Sequence, residues 1–219
     1  MNGCCSVTSK MKILVVALAL IGGTALITRS VVRADDKKAD AKMPGGKEMS
    51  AEEKAMMEKF MAAATPGPEH KRLEMMIGDW TTVTKSQMDP KAPIEESTGK
   101  ATFKSMMDGR FIVQEFDGKM MDMPFKGFGI TGYDNVQKKY VSIWMDTMTT
   151  SMMTMSGTAD ASGKVITEEG EMPCCMNGKM TKFKAICRLE SPSKHVFEMH
   201  SPDESGKMFK CLEVTYTRK

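Results

Sequence analysis

Residues 179–189 read KMTKFKAICRL, and their alternation decides the fold. Phe183, Ala185, Cys187 and Leu189 share one face of an extended segment, while Lys182, Lys184 and Arg188 share the other. Side chains of a strand point alternately to its two faces, so this stretch predicts a strand with one face in a core and one in water. The segment 208–217 repeats the pattern, with Leu212, Val214 and Tyr216 on one face.

Working outward, candidate strands fall at 80–87, 99–107, 110–116, 125–133, 139–147, 152–159, 165–171 and 195–200. The dividers are Asp108-Gly109, Asp117-Gly118, Asp134-Asn135, Ser162-Gly163, Asn177-Gly178 and Ser205-Gly206. Each has the small or polar chemistry that tight hairpins demand. About ten consecutive strands joined by short turns predict an all-β, up-and-down antiparallel barrel, because a parallel sheet would need crossover helices between its strands.

Before residue 78 the period is helical. Ser50 can cap a helix with Glu53 three residues later, and Met56, Met57, Phe60 and Met61 form an apolar stripe over 50–64. Thr65-Pro66-Gly67-Pro68 ends it, and a second short helix is expected from Pro68 to about Ile77, with Leu73, Met76 and Ile77 on one side. Residues 35–49 are Lys, Asp, Ala and Gly with little to bury, a disordered spacer. The expected organisation is a signal peptide at 1–34, the spacer at 35–49, short helices at 50–77 and the barrel at 78–219.

The signal has its parts in order: basic Lys10 and Lys12, an apolar run over 13–27, and Val32-Arg33-Ala34 with small residues for cleavage. As a helix the run would span about 22 Å, short of a bilayer core of about 30 Å, so a cleaved signal is expected in place of a stable membrane anchor. Cys4 and Cys5 precede the run, which does not fit a lipoprotein. An exported product, periplasmic or extracellular, follows. Residues 1–34 carry Lys10, Lys12, Arg29 and Arg33 and no acid, so removing them takes the net charge from +3 to −1. A nearly neutral domain gives no electrostatic case for binding nucleic acid.

Four cysteines remain after cleavage: Cys174, Cys175, Cys187 and Cys211. In an oxidising compartment an even number suggests disulfides, with three complete pairings open. A bond within the adjacent pair would strain the backbone, so each of Cys174 and Cys175 is expected to reach for Cys187 or Cys211.

Gly78-Asp79-Trp80 at the first barrel strand resembles the Gly-x-Trp signature of the calycins, the lipocalin and fatty-acid-binding superfamily. The wider chain resembles the bacterial domain family of unknown function numbered 1579. Pro68-Glu69-His70, Leu73, Gly78-Asp79-Trp80, Gly109-Arg110-Phe111, Gly132-Tyr133-Asp134, Tyr140, Trp144, Asp146, Ser156-Gly157 and Tyr216-Thr217-Arg218-Lys219 stand in the expected order, over residues 66–219. The resemblance implies a calycin-like barrel and conveys no activity. The chain departs from it where Met172-Pro173-Cys174-Cys175-Met176 replaces a polar hairpin.

Trp144 and Asp146, two apart, put an indole and a carboxylate on one strand face, and with Tyr133, Trp80 and His70 they are the candidate ligand-binding residues. Alternatively, Trp80 and Trp144 plug one end of the barrel. The 25 methionines are flexible and polarisable, suited to an irregular core or an adaptable apolar cavity. Thioethers and thiolates also suit Cu(I), which makes Met172, Cys174, Cys175 and Met176 candidate metal ligands and the run Met145, Met148, Met152, Met153 and Met155 a second possible source. His195 and His200 differ by an odd number of positions, so only one can face inward. A lone inward histidine could ligate haem, as in the nitrobindin branch of the calycins, although neither residue sits in a context matching that branch. No Ser/His/Asp order, phosphate loop or clustered zinc ligands stand out. The leading expectation is a non-enzymatic exported protein that binds a small apolar or amphipathic molecule in its barrel. A copper or haem protein comes second, and an enzyme acting on a cavity-bound substrate third.

Overall fold

The structure, a computed structural model, describes residues 49–120, 122–174 and 178–219; the signal and nearly all of the spacer lie outside them. Two helices, α1 (Ala51–Ala64) and α2 (Pro68–Glu74), precede ten strands. These are β1 (Gly78–Ser86), β2 (Glu95–Met106), β3 (Phe111–Met120), β4 (Met123–Asp134), β5 (Lys139–Asp146), β6 (Met153–Ala159), β7 (Val165–Pro173), β8 (Met180–Ser191), β9 (Lys194–Pro202) and β10 (Met208–Arg218). Every neighbouring pair is antiparallel, and β1 pairs with β10 to close an up-and-down barrel. The expected all-β barrel behind short helices is the observed one, and closure removes the edges that an open sheet would expose.

The capping box forms: Ser50 Oγ accepts from the Glu53 amide and Glu53 Oε2 accepts from the Ser50 amide. Helix α1 buries no residue. Its C-terminal carbonyls are instead held by Asn135 in the β4–β5 turn, whose Nδ2 donates to Ala62, Ala63 and Thr65. Helix α2 ends at Glu74, short of Ile77, and buries His70 and Leu73. The residues after it turn to bring the Met76 carbonyl over Trp80.

One divider is corrected. Asp117-Gly118 lies inside β3, paired with Lys126 and Phe125 of β4, and the turn comes later, with Asp122 at φ 57°. Asp117 points outward to an ion pair with Lys126 at 3.1 Å. Gly118 faces inward, where a Cβ would lie 2.9 Å from the Phe116 ring, so this glycine makes room for an aromatic neighbour.

The inner faces divide the barrel into two halves. Near α2 the layer of Leu73, Trp80, Phe103, Ile112, Tyr140, Ile166 and Tyr216 is buried and forms the core. Trp80, 1% exposed, donates Nε1–H to the Met76 carbonyl at 2.7 Å. The Arg218 guanidinium lies 4.2 Å over the Trp80 ring and donates to the carbonyls of Met75, Ile77 and Pro192. This end is therefore plugged by side chains and tied to the chain crossing it. Towards the opposite end Phe125 and Phe183 are still buried, but the other inward residues Phe116, Trp144, Met153, Met155, Met172, Cys187, Phe197, Met199 and Leu212 are only half-buried. Side chains that face inward yet keep accessible surface line a hollow, so the interior is tightly packed near α2 and more open towards the other end. The outer faces carry ion pairs such as Lys104–Glu115, Lys126–Asp117 and Arg188–Glu198 beside exposed apolar side chains such as Val83 and Ile143. Among the described residues no helix is long and apolar enough to cross a membrane.

Candidate ligand cavity

The five residues expected to line a cavity fall at two places. His70 is buried in α2, its Nδ1 accepting from the Gly67 amide at 3.0 Å and its ring edge-on to Tyr133. Tyr133 meets Tyr140 edge-on at 5.0 Å. With Trp80 these belong to the plugged end. Trp144 and Asp146 share an inner face of β5, as their spacing predicts, and Trp144 Nε1 donates to Asp146 Oδ2 at 2.9 Å. The indole lies flat against β4, where a Cβ on Gly127 or Gly129 would meet its ring at 2.2 and 3.1 Å. Two glycines thus create the berth for Trp144 on the wall of the hollow.

At the floor of the hollow is a group not singled out from sequence. Glu168, on the inner face of β7 and 8% exposed, accepts a hydrogen bond from Ser142 Oγ at 2.8 Å, and Ser142 in turn meets Thr131 Oγ1 at 3.0 Å. Burial pushes the Glu168 carboxyl up to about 7, opposed by the Ser142 hydrogen bond. The Cys187 thiol, on the next strand, is pushed up to about 12 by burial and by the Glu168 charge, so it stays protonated. Beside them Gln114 Nε2 donates to the Tyr216 hydroxyl at 3.0 Å. The sequence signal for Glu168 is its phase with Ile166, two residues before it and buried on the same face. The glutamate-rich run 168–171 obscures that phase.

A depression of about 1290 Å³ opens at the mouth of this half, on the wall formed by β1, β2 and β3. Its lining includes the hydroxyls of Thr84, Ser86 and Ser97, the bare backbone of Gly99 and Gly118, and Met120. Glu95, Glu96, Lys100, Asp117, Lys119 and Asp122 also border it. None of the five expected residues does.

The sulfur residues scatter. Cys174, Cys187 and Cys211 are free, which corrects the expected disulfides to Cys187 and Cys211: both lie within strands, Cys187 on the inner face and Cys211 at a bulge donating to the Met199 carbonyl at 3.4 Å. Cys174 closes the β7–β8 hairpin through its amide to the Lys179 carbonyl, and Met172 faces inward on β7. Cys175 and Met176 lie outside the described residues. Of the methionine run, Met153 and Met155 face the interior by their register with Trp144 and Ser142, whereas Met145 pairs on the other face and Met148 and Met152 are exposed. Among the described residues no three His, Cys, Asp or Glu side chains gather as a metal site.

The histidines do not fit haem. His195 is the inward one, but it is 1% exposed at the plugged end, stacked on Tyr216 at 4.1 Å and edge-on to Trp80 at 4.4 Å, which leaves no space for a macrocycle. Among the described residues neither of its ring nitrogens has a hydrogen-bond partner, and burial together with the Arg218 charge lowers its pKa to about 3, so the ring is neutral. His200 points outward to Glu198 at 3.4 Å, and His70 is engaged as described.

Fold and burial together define a closed ten-stranded antiparallel barrel, plugged at one end and less tightly filled towards the other. The chain belongs to the family described as protein of unknown function (DUF1579), whose model matches residues 65–218. No curated protein matches the chain. Among solved structures it is similar to Rv2717c from M. tuberculosis, with 12% identity and a TM-score of 0.53 over 71% of this chain and 99% of that one. It is also similar to the S-type phycobiliprotein lyase CPES from Guillardia theta, with 11% identity and a TM-score of 0.46 over 70% and 98% of the two chains. A third likeness is EF1p2_mFAP2b bound to DFHBI, with 14% identity and a TM-score of 0.39 over 69% and 99%. Likeness at these identities is likeness of fold.

Proposed function

We propose that this protein is an exported binding protein that holds a small apolar or amphipathic molecule in the open half of its barrel. The observation that carries the reading is the asymmetry of the interior. At one end Trp80 and Arg218 fill and tie the barrel; in the other half Phe116, Trp144, Met155, Cys187, Phe197 and Met199 face inward and remain accessible. Such a surface is apolar, aromatic and sulfur-rich, and methionines can reshape around guests of different outline. Hydroxyls at the mouth and Glu168 at the floor supply the few polar groups that orient a guest. Export rests on the basic, apolar and small-residue order of residues 10–34, and N-terminal sequencing of the protein from its own compartment should begin at Asp35.

Uptake of a neutral environment-sensitive dye, N-phenyl-1-naphthylamine, tests the binding reading. Saturable enhancement of the dye with quenching of tryptophan emission is expected. The quenching should fall sharply in Trp144→Phe, whose indole lines the hollow, and persist in a variant that alters only the plugged-end tryptophan. A folded protein that takes up no dye would remove the reading.

A further inference from the structure

We infer that the hollow takes a ligand bearing a protonated amine, seated head-first on the carboxylate of Glu168. The inference rests on the binding reading above and names the class of guest. Its first ground is the sign of the interior. At the inward positions of the ten strands the acidic side chains are Glu95, at the exposed start of β2, Asp146 and Glu168, and among the described residues no lysine stands with them. The one inward arginine, Arg218, is at the plugged end, held over Trp80 and spent on three backbone carbonyls. Past the lysines at the rim, a carboxylate guest would meet only like charges on the inner faces of the open half; an ammonium guest would meet opposite charges in a medium less polar than water, where such interactions strengthen.

The second ground is geometry. Glu168 is nine-tenths buried and receives one hydrogen bond, from Ser142 to Oε1, which leaves acceptor capacity on a carboxylate that can take about four. Its neighbours across the sheet, Gly157 and Ala185, put almost no side chain in front of it. Around it Met155, Cys187 and Phe197 offer apolar surface for the chain of an amphiphile. Asp146, on the inner face at the end of β5, adds to the attraction for a cation. An isolated buried carboxylate is costly, and its carboxyl sits near 7 for that reason; an ammonium partner offsets the cost.

Displacement of N-phenyl-1-naphthylamine from the full mature chain at pH 8, where Glu168 is ionised, tests this with three competitors of equal chain length: dodecylamine, dodecanol and dodecanoate, all below their micelle concentrations. Dodecylamine should displace the dye at about tenfold lower concentration than dodecanol, and dodecanoate should be the weakest. In Glu168→Gln, whose amide keeps the shape and can still accept from Ser142, the amine should lose its advantage over the alcohol, each competitor being read against the variant's own affinity for the dye. Dodecanoate displacing as well as dodecylamine from the wild type, or an amine preference that survives in Glu168→Gln, would overturn the inference and leave the binding reading standing. Failure of the folded wild type to take up the dye would overturn both.

Discussion

Ser142 on β5 donates a 2.8 Å hydrogen bond to Glu168 on β7, across the full width of β6. The strand between them makes this possible at Gly157, which pairs with Tyr140 on one side and Glu168 on the other. A Cβ at that position would lie 1.8 Å from the Thr167 carbonyl oxygen and 2.6 Å from the Glu168 Cα. Gly157→Ala should therefore force β6 and β7 apart and cost about 1–3 kcal/mol, the range of an overpacked interior. Chemical denaturation checks it, and an unchanged midpoint would contradict the close approach.

Glu168 makes stability depend on pH with a definite sign. Its carboxyl loses its proton near 4.5 when unfolded and near 7 when folded, so between these values the folded state holds more protons. Stability from this group is greatest below 4.5, declines as pH rises and is lost above about 7, by an amount on the order of 3 kcal/mol. The groups nearest to it do not alter the sign, since the Cys187 thiol stays neutral throughout this range. Glu168→Gln should be more stable than the wild type at pH 8 and close to it at pH 4. Denaturation midpoints at the two pH values measure the gap, and a gap of equal size at both would contradict the assignment.

His195 has the opposite dependence. Unfolded it takes up a proton near 6.5, folded only near 3, so its contribution is present above 6.5 and lost as pH falls towards 3. The groups against it are Trp80, Phe103, Tyr216 and the charged Arg218, and none is an acid that could hold the proton. His195→Phe also removes two buried nitrogens without partners, a change expected to be neutral or stabilising at pH 7. Its advantage over the wild type should widen between pH 7 and pH 5, as read from thermal unfolding.

At the plugged end, Arg218→Ala removes three hydrogen bonds to carbonyls and the guanidinium over Trp80. A loss of about 2 kcal/mol is expected, with a red shift of Trp80 emission as water reaches the indole. Unchanged stability and emission would show that α2 and β1 seal the end without it.

The fold was legible because alternation is a local signal: Phe183, Ala185 and Leu189 are buried on the inner face just as their phase requires. Asp117-Gly118 misled because its composition is that of a turn, whereas its ladder partners, Lys126 and Phe125, lie on another strand and place it inside β3. The site was less legible for the same reason. Trp144 and Asp146 could be paired from their spacing, since two residues apart on a strand means one face. That Trp80, Tyr133 and His70 lie at the other end depends on the stagger of ten strands, which no single stretch encodes. Glu168 becomes a site residue only through Ser142, 26 positions away, and through the glycine that lets the two meet.

Native mass spectrometry of the protein purified from its own cells, set beside Met199→Trp, bears most directly on the claim that the open half of the barrel holds a small molecule. Met199 faces the hollow between Ala185 and Leu212, so an indole there should fill the space a guest would use. The wild type should carry a noncovalent mass that disappears on unfolding, or take one up when offered dodecylamine, and the variant should do neither. A wild type that stays at the mass of its bare chain under both conditions, indistinguishable from Met199→Trp, would contradict the account.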